Sequence, residues 1–104
     1  MQRVYGELDF VTGTENENAV QVIKDYETSL GLNAVPDKFV LRKLGIKVDA
    51  ACEVAINGRD FSINAKEPLE FGYDMIKVES IVFKTSGVNA IIRYMYFRED
   101  KRYQ

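Results

Sequence analysis

The amino-acid sequence predicts a mainly β (α+β) fold, a compact antiparallel β-sandwich or barrel-like domain with one N-terminal helix. Strands are predicted because apolar residues occupy every second position over residues 44–56. The Asn57-Gly58 pair that follows is the strongest short-range signal of a β-hairpin. One helix is predicted because apolar residues recur at helical spacing over residues 15–30. The 104 residues of the chain correspond to a single domain.

The N-terminal part of the chain is interpreted as an addition to a β core. Leu8 and Phe10 alternate with acidic residues, which predicts a short strand over residues 3–11. The predicted division of the domain is a strand-helix addition over residues 1–37, a β core over residues 38–97 and a charged tail over residues 98–104.

The predicted helix has a start signal and a stop signal. Thr14 and Glu17 have the S/T-x-x-E spacing of a capping box, which places the first helical residue at position 15. Gly31 stands where a left-handed C-cap would end the helix. The apolar positions between them are Ala19, Val22, Ile23, Tyr26 and Leu30. This narrow stripe predicts that one face of the helix packs on the domain while the other faces solvent.

The period-two stretch over residues 44–56 is expected to form one long strand or two strands that jog at Ala50-Ala51. A two-residue turn at Asn57-Gly58 then fixes the register of the return strand. The expected pairs are Ile56 with Arg59, Val54 with Phe61 and Cys52 with Ile63. Two of these three pairs are apolar on both sides, so the alternation and the turn agree on one hairpin.

Three further strands are predicted after the hairpin. Alternation suits a short strand over residues 69–73, and a second strand over residues 76–83 changes phase at Ser80, which predicts a bulge or burial on both faces. Residues 90–97 are apolar at nearly every position. Such a run is typical of a central strand that is covered on both faces.

The composition excludes several kinds of active site. The chain contains no histidine, no tryptophan and one cysteine, Cys52. A histidine-dependent nucleophile, a histidine-containing metal site and a disulfide within the chain are therefore excluded. Cys52 lies on the apolar face of its strand, which predicts a core residue. We expect no enzyme activity, no catalytic residue, no metal and no cofactor.

Charge and hydropathy predict neither a nucleic-acid partner nor a membrane. Fourteen basic and sixteen acidic residues give a net charge of −2, whereas binding to phosphates requires a basic surface. The apolar runs are short compared with the roughly 20 residues that span a bilayer.

The aromatic residues near the C-terminus are the most suggestive group. Aromatic side chains and arginines are enriched at protein interfaces. The predicted interface residues are Tyr94, Tyr96, Arg98, Arg102 and Tyr103. The alternative for Tyr94 and Tyr96 is that they line the core of the chain.

Four pieces of the chain resemble a module of small structural proteins of tailed bacteriophages. They are Leu44-Gly45-Ile46, Ile56-Asn57-Gly58, Glu79-Ser80-Ile81-Val82-Phe83 and Ile92-Arg93-Tyr94-Met95-Tyr96. The sequence departs from the module at Ala50-Ala51-Cys52, where a step that contains Pro or Gly is expected. The resemblance covers about half of the chain, and none of its pieces is a catalytic motif.

This resemblance implies a virion protein that is made in the host cytoplasm and acts by assembling, as a capsid decoration, neck or tail component. The implied partners are further copies of the chain, in a homo-oligomer, and other virion structural proteins. An alternative from a different class is a small accessory binding module that recognises a host carbohydrate or protein. A phage-encoded inhibitor of a host enzyme is a third hypothesis, which no feature of the sequence selects.

Overall fold

The computed structural model describes residues 2–13, 17–73 and 75–99. Strands are the main regular structure of this part of the chain, as the alternation of apolar residues and the Asn57-Gly58 turn predict. In chain order the elements are β1 (Arg3–Val11), α1 (Ala19–Leu30), β2 (Lys43–Val48), β3 (Cys52–Ile56), β4 (Arg59–Ile63), β5 (Leu69–Phe71), β6 (Ile81–Phe83) and β7 (Asn89–Phe97).

The strands form two antiparallel sheets. The first sheet has the order β1-β7-β2-β5, and the second has the order β4-β3-β6. Apolar side chains of both sheets meet in one core, as in the contact between the rings of Phe10 and Phe83, whose centroids lie 5.8 Å apart. The predicted α+β, sandwich-like fold is therefore confirmed, and the barrel alternative is not observed because the sheets do not close on each other.

The hairpin between β3 and β4 has the predicted register. Ile56 pairs with Arg59, and the next pairs inward follow the same register to Cys52 and Ile63. Asn57 and Gly58 both have positive φ, at 53° and 81°, as a type I′ turn requires. Cys52 is buried, as predicted, and burial raises the pKa of its thiol.

Residues 44–56 form two strands, which is the jogged alternative of the prediction. β2 belongs to the first sheet and β3 to the second, so residues 49–51 carry the chain from one layer to the other. Asp49 ties this connecting segment to β7, because its carboxylate accepts hydrogen bonds from the backbone and side-chain nitrogens of Asn89.

The prediction of a separate N-terminal addition is wrong. β1 pairs with β7 over its whole length, from Arg3 opposite Phe97 to Val11 opposite Asn89. β7 also pairs with β2, so the first strand and the last described strand are neighbours inside one sheet. The pairing is possible because both strands are nine residues long and follow one unbroken register.

The helix begins later than the sequence predicted. Asn18, not Thr14, is the N-cap, and its side-chain oxygen accepts a hydrogen bond of 3.0 Å from the backbone N–H of Val20. The same oxygen accepts a bond of 3.0 Å from the N–H of Ile81 in β6. Glu17 therefore precedes the helix, and the predicted Thr14 cap lies outside the described residues. The C-cap is confirmed, because Gly31 has a left-handed conformation with φ of 67°.

The strand predicted over residues 76–83 is shorter in the structure. Only Ile81–Phe83 forms β6, while Val78 makes an isolated bridge with Leu41. Asn57 holds the intervening segment, because its side-chain oxygen accepts hydrogen bonds from the N–H groups of Glu79 and Ser80. Among the described helices, none is long and apolar enough to cross a membrane.

Candidate functional site

Tyr94 and Tyr96 lie on the inner face of β7, where they form a buried polar cluster with Glu27 of α1. Tyr94 is 3% exposed, Tyr96 is fully buried and Glu27 is 4% exposed. The hydroxyl of Tyr94 donates a hydrogen bond of 2.5 Å to Oε2 of Glu27, and that of Tyr96 donates one of 2.8 Å to Oε1. The prediction that these tyrosines form a surface interface is wrong. The core alternative is observed, because their hydroxyls have an internal acceptor.

The cluster keeps both phenols protonated. Burial, and then the hydrogen bonds to Glu27, raise the pKa of Tyr94 and of Tyr96 far above the ordinary value. Glu27 in turn has both side-chain oxygens satisfied, which offsets the cost of burying a carboxyl group. The arrangement fastens the helix to the first sheet.

The outer face of the same strand is open. Ile91 is 36% exposed, and the side chain of Arg93 is 78% exposed. The prediction that β7 is covered on both faces is therefore wrong along its first half. Both faces are covered only at residues 94–96, where Met95 is buried between the two tyrosine positions.

A groove crosses this outer face, with a volume of about 760 Å³. Gly45 of β2 contributes no side chain, and a Cβ built there would meet only the Cβ of Arg93, at 3.9 Å. The groove is lined by Tyr5, Gly6, Glu7, Lys43, Leu44, Gly45, Glu70, Phe71, Gly72, Arg93 and Tyr94. The missing side chain at Gly45 therefore leaves an open channel between charged and aromatic residues.

Charged groups of both signs stand at the groove. Nε of Arg93 donates a hydrogen bond of 2.8 Å to Oε1 of Glu7, and Glu70 lies across Gly45 from Arg93 in the sheet. The hydrogen bond to Glu7 raises the pKa of Arg93 above its ordinary value, so the guanidinium stays charged. Tyr5 presents an exposed ring at the same face. These groups can bind polar molecules by hydrogen bonds and a ring contact.

The free edge of β1 is the third feature of this region. β1 pairs with β7 on one side, and in the described part of the chain no strand pairs with its other side. Tyr5 and Val11 on this strand are 63% and 62% exposed. Unpaired backbone groups and exposed apolar side chains on a long edge strand are a template for pairing with another chain.

The remaining predicted interface residues do not join the two tyrosines. The backbone N–H of Arg98 donates a hydrogen bond of 3.1 Å to the carbonyl of Gln2, which extends the β1–β7 ladder by one step. Arg98 is half-buried at the end of this ladder. Arg102 and Tyr103 lie outside the described residues.

Sequence reasoning missed Glu27 and the edge position of β1. A signal for Glu27 exists, because position 27 continues the i, i+4 series of Ala19 and Ile23, both of which are buried. The even spacing of Tyr94 and Tyr96 places both hydroxyls on one face, where they can share one acceptor.

The fold and these features define a class: a two-sheet antiparallel domain with one helix, a closed internal polar cluster, an open groove and a free sheet edge. Comparison of the chain with protein-family models, with curated proteins and with solved structures finds no match.

Proposed function

We propose that this chain is a non-catalytic structural protein of a tailed-bacteriophage virion, which acts by assembling with further copies of itself and with other virion proteins. The observation that carries the proposal is the free edge of β1. Nine residues of strand, with exposed side chains at Tyr5 and Val11, are available for a contact between chains. Such an edge is unusual in a monomer, where edges are commonly short or blocked.

The virion part of the proposal is supported by the resemblance of residues 44–96 to the phage module. Its pieces occupy β2, the β3–β4 turn, β6 and β7, which are elements of both sheets. None of the four pieces is a catalytic motif.

Two measurements test the proposal. Sedimentation velocity over a wide range of protein concentrations should show that the fraction of the chain in oligomers increases as the concentration rises. Mass spectrometry of purified particles of the phage that encodes the chain should find it in a fixed number of copies per particle. A chain that stays monomeric and is missing from the particles would overturn the proposal.

A second candidate function is an accessory module that binds a carbohydrate through the outer-face groove. The observation that favours it is the exposed ring of Tyr5 beside Glu7, Arg93 and Glu70, in a groove of about 760 Å³. A sugar offers hydroxyl groups to such charged side chains and an apolar face to a tyrosine ring.

Glycan-array binding tests this candidate with a matched pair of variants. Tyr5→Ala should abolish a glycan signal, whereas Val11→Ala should preserve it, since Val11 is equally exposed but does not line the groove. Equal losses in the two variants, or no signal from the native chain, would remove the carbohydrate candidate.

A further inference from the structure

We propose that a second copy of this chain pairs with β1 in antiparallel orientation, about a twofold axis that passes beside Gly6. The two four-stranded sheets would then join into one sheet of eight strands. The inference rests on the proposed function, because it specifies the contact through which the chain assembles. It is carried by the direction of the backbone groups of β1 and by the charges along the strand.

The free backbone groups belong to the odd-numbered residues of β1. The N–H of Thr12 donates to the carbonyl of Val88 at 2.9 Å, and the carbonyl of Gln2 accepts from Arg98 at 3.1 Å. Bonded and non-bonded positions alternate in an antiparallel pair, and the register between these two ends is unbroken. The N–H and C=O groups of the even-numbered residues therefore point toward β7. The N–H and C=O groups of Arg3, Tyr5, Glu7, Asp9 and Val11 face away from it.

Pairing of β1 with its own copy can use only registers that bring odd-numbered residues opposite each other. One register places Arg3 opposite Asp9 of the second copy and Tyr5 opposite Glu7. The two Gly6 residues then meet on the axis. Each of the four bonded pairs exchanges two hydrogen bonds, so this contact would contain about eight.

The neighbouring registers are disfavoured. A slip in one direction places the two Glu7 side chains opposite each other, and a further slip places Glu7 opposite Asp9. Like charges directly opposite each other in a sheet are destabilising. A slip in the other direction loses one of the four bonded pairs that the proposed register makes. The register centred on Gly6 is thus the one that combines length with opposite charges.

Asp9 and the inner face of β1 fit the same contact. Among the described residues Asp9 has no ion-pair partner, and in the proposed register it lies opposite a guanidinium. Leu8 and Phe10 point inward and are only partly buried in the single chain. A second strand beside them would cover more of both side chains, which is favourable for apolar surface.

The other described sheet edges are weaker sites for such a contact. β5 has three residues and β4 has five. The edge of β6 is occupied within the chain, because Asn18 bridges to Val82 and accepts a hydrogen bond from Ile81. β1 is therefore the longest edge that the described residues leave unpaired.

Disulfide trapping tests the register. Chains with Arg3→Cys are mixed with chains with Asp9→Cys under oxidised glutathione, both in a Cys52→Ala background. Directly opposite Cα atoms in a bonded pair lie about 5.5 Å apart, within the span of a disulfide. The control mixes Arg3→Cys with Val11→Cys. In the proposed register those positions are offset by two residues and lie about 9 Å apart, too far for a disulfide.

The expected result is a covalent heterodimer with Asp9→Cys and at least about a tenfold weaker band with Val11→Cys. Cross-linking of the control instead, or of neither mixture while the native chain still sediments as an oligomer, would overturn this register and leave the proposed function standing. A native chain that is monomeric at every concentration would overturn the pairing of two copies. If that chain were also missing from the virus particles, the proposed function would fall with it.

Hydrogen exchange of the unmodified chain gives a second readout that needs no variant. Raising the protein concentration should slow exchange of the amides of Arg3, Tyr5, Glu7 and Asp9, whose N–H groups face the free edge. The amides of Val4 and Leu8 already bond to β7 and should change little. A concentration-dependent oligomer in which the four odd-numbered amides stay unprotected would contradict pairing at β1.

Discussion

β7 and β1 are the two longest described strands. They differ in how many of their polar groups are hydrogen-bonded within the chain. Each has nine residues, and they pair with each other along their full length. β7 has a strand on both sides, and its two inward hydroxyls reach Glu27. β1 has a strand on one side only in the described part of the chain. The contrast separates a strand that is complete within one chain from a strand that can accept another.

Because of this difference, changes on β7 should affect the stability of the single chain, and changes on the free edge of β1 should affect its assembly. Groups on β7 that are buried and paired should affect the free energy of unfolding when they are changed. Groups on β1 that face the free edge should affect only contacts between chains. Variants on the two strands therefore test whether buried groups on β7 govern stability and edge groups on β1 govern assembly.

The largest effect is expected for Glu27→Ala. This variant leaves two buried tyrosine hydroxyls without their acceptor and should lower the free energy of unfolding by about 3–5 kcal/mol. Urea denaturation measures the loss. Asp25→Ala is the control on the same helix, because Asp25 is exposed and should change stability by less than about 0.5 kcal/mol. Equal losses in the two variants would contradict a special role of the cluster.

Alkaline pH is expected to destabilise the fold through Tyr94 and Tyr96. Their pKa values are raised in the folded chain, so the unfolded chain releases protons first as pH rises above the ordinary tyrosine value of 10.0. The stabilisation is complete below pH 10.0 and falls above it, by up to about 1.4 kcal/mol per pH unit for each tyrosine. Unfolding curves at several pH values measure the slope, and Tyr96→Phe should halve it.

Ultraviolet absorbance of phenolate gives an independent check of the same prediction. The chain has six tyrosines, and two of them should ionise only when the chain unfolds. Ionisation of all six while the fold is intact would show that the cluster does not protect its phenols.

Two glycines of the first sheet should respond in opposite ways to alanine. A Cβ at Gly6 would run into the ring of Tyr94, whereas a Cβ at Gly45 would make only an ordinary contact of 3.9 Å with the Cβ of Arg93. Gly6→Ala should cost about 1–3 kcal/mol through overpacking. Gly45→Ala should be neutral or stabilising by less than about 1 kcal/mol, since it removes backbone freedom from the unfolded chain. Thermal unfolding compares the two, and a shared sign would contradict the role of Tyr94.

The smallest effect on stability is expected for Asp9→Ala on the free edge. Its free energy of unfolding, measured at low protein concentration, should stay within about 0.5 kcal/mol of the native value. Its self-association should weaken, because the proposed contact loses two opposite-charge pairs that each contribute about 0.2–1 kcal/mol. An unchanged dissociation constant, measured by sedimentation, would remove Asp9 from the interface.

Local signals predicted local structure well. The β3–β4 hairpin was predictable to the residue pair, because a two-residue turn with positive φ at Asn57 and Gly58 fixes its own register. The end of the helix was predictable for the same reason, since Gly31 adopts the conformation that ends helices. In both cases the determining residues lie within a few positions of the feature.

Features that depend on distant residues were not predictable in this way. The capping box at Thr14 and Glu17 is a local signal, but Asn18 caps the helix because it also bonds to β6, 63 residues away. Glu27 is buried because two hydroxyls on β7 donate hydrogen bonds to its side-chain oxygens, at separations of 67 and 69 residues. The interface prediction for Tyr94 and Tyr96 failed at the same point, since nothing near them in the sequence identifies their partner.

The central position of β7 also sets the order in which the first sheet can form. β1 and β2 each pair with β7 and not with each other, yet both precede it in the chain. On a ribosome the hairpin of β3 and β4 can close as soon as it emerges, whereas β1 must wait until residues 89–97 have been synthesised. Folding of the first sheet is thus a late, long-range event, and such topologies fold slowly. Until that strand arrives, β1 has two open edges, and nascent chains that emerge close together could pair there before each has folded alone.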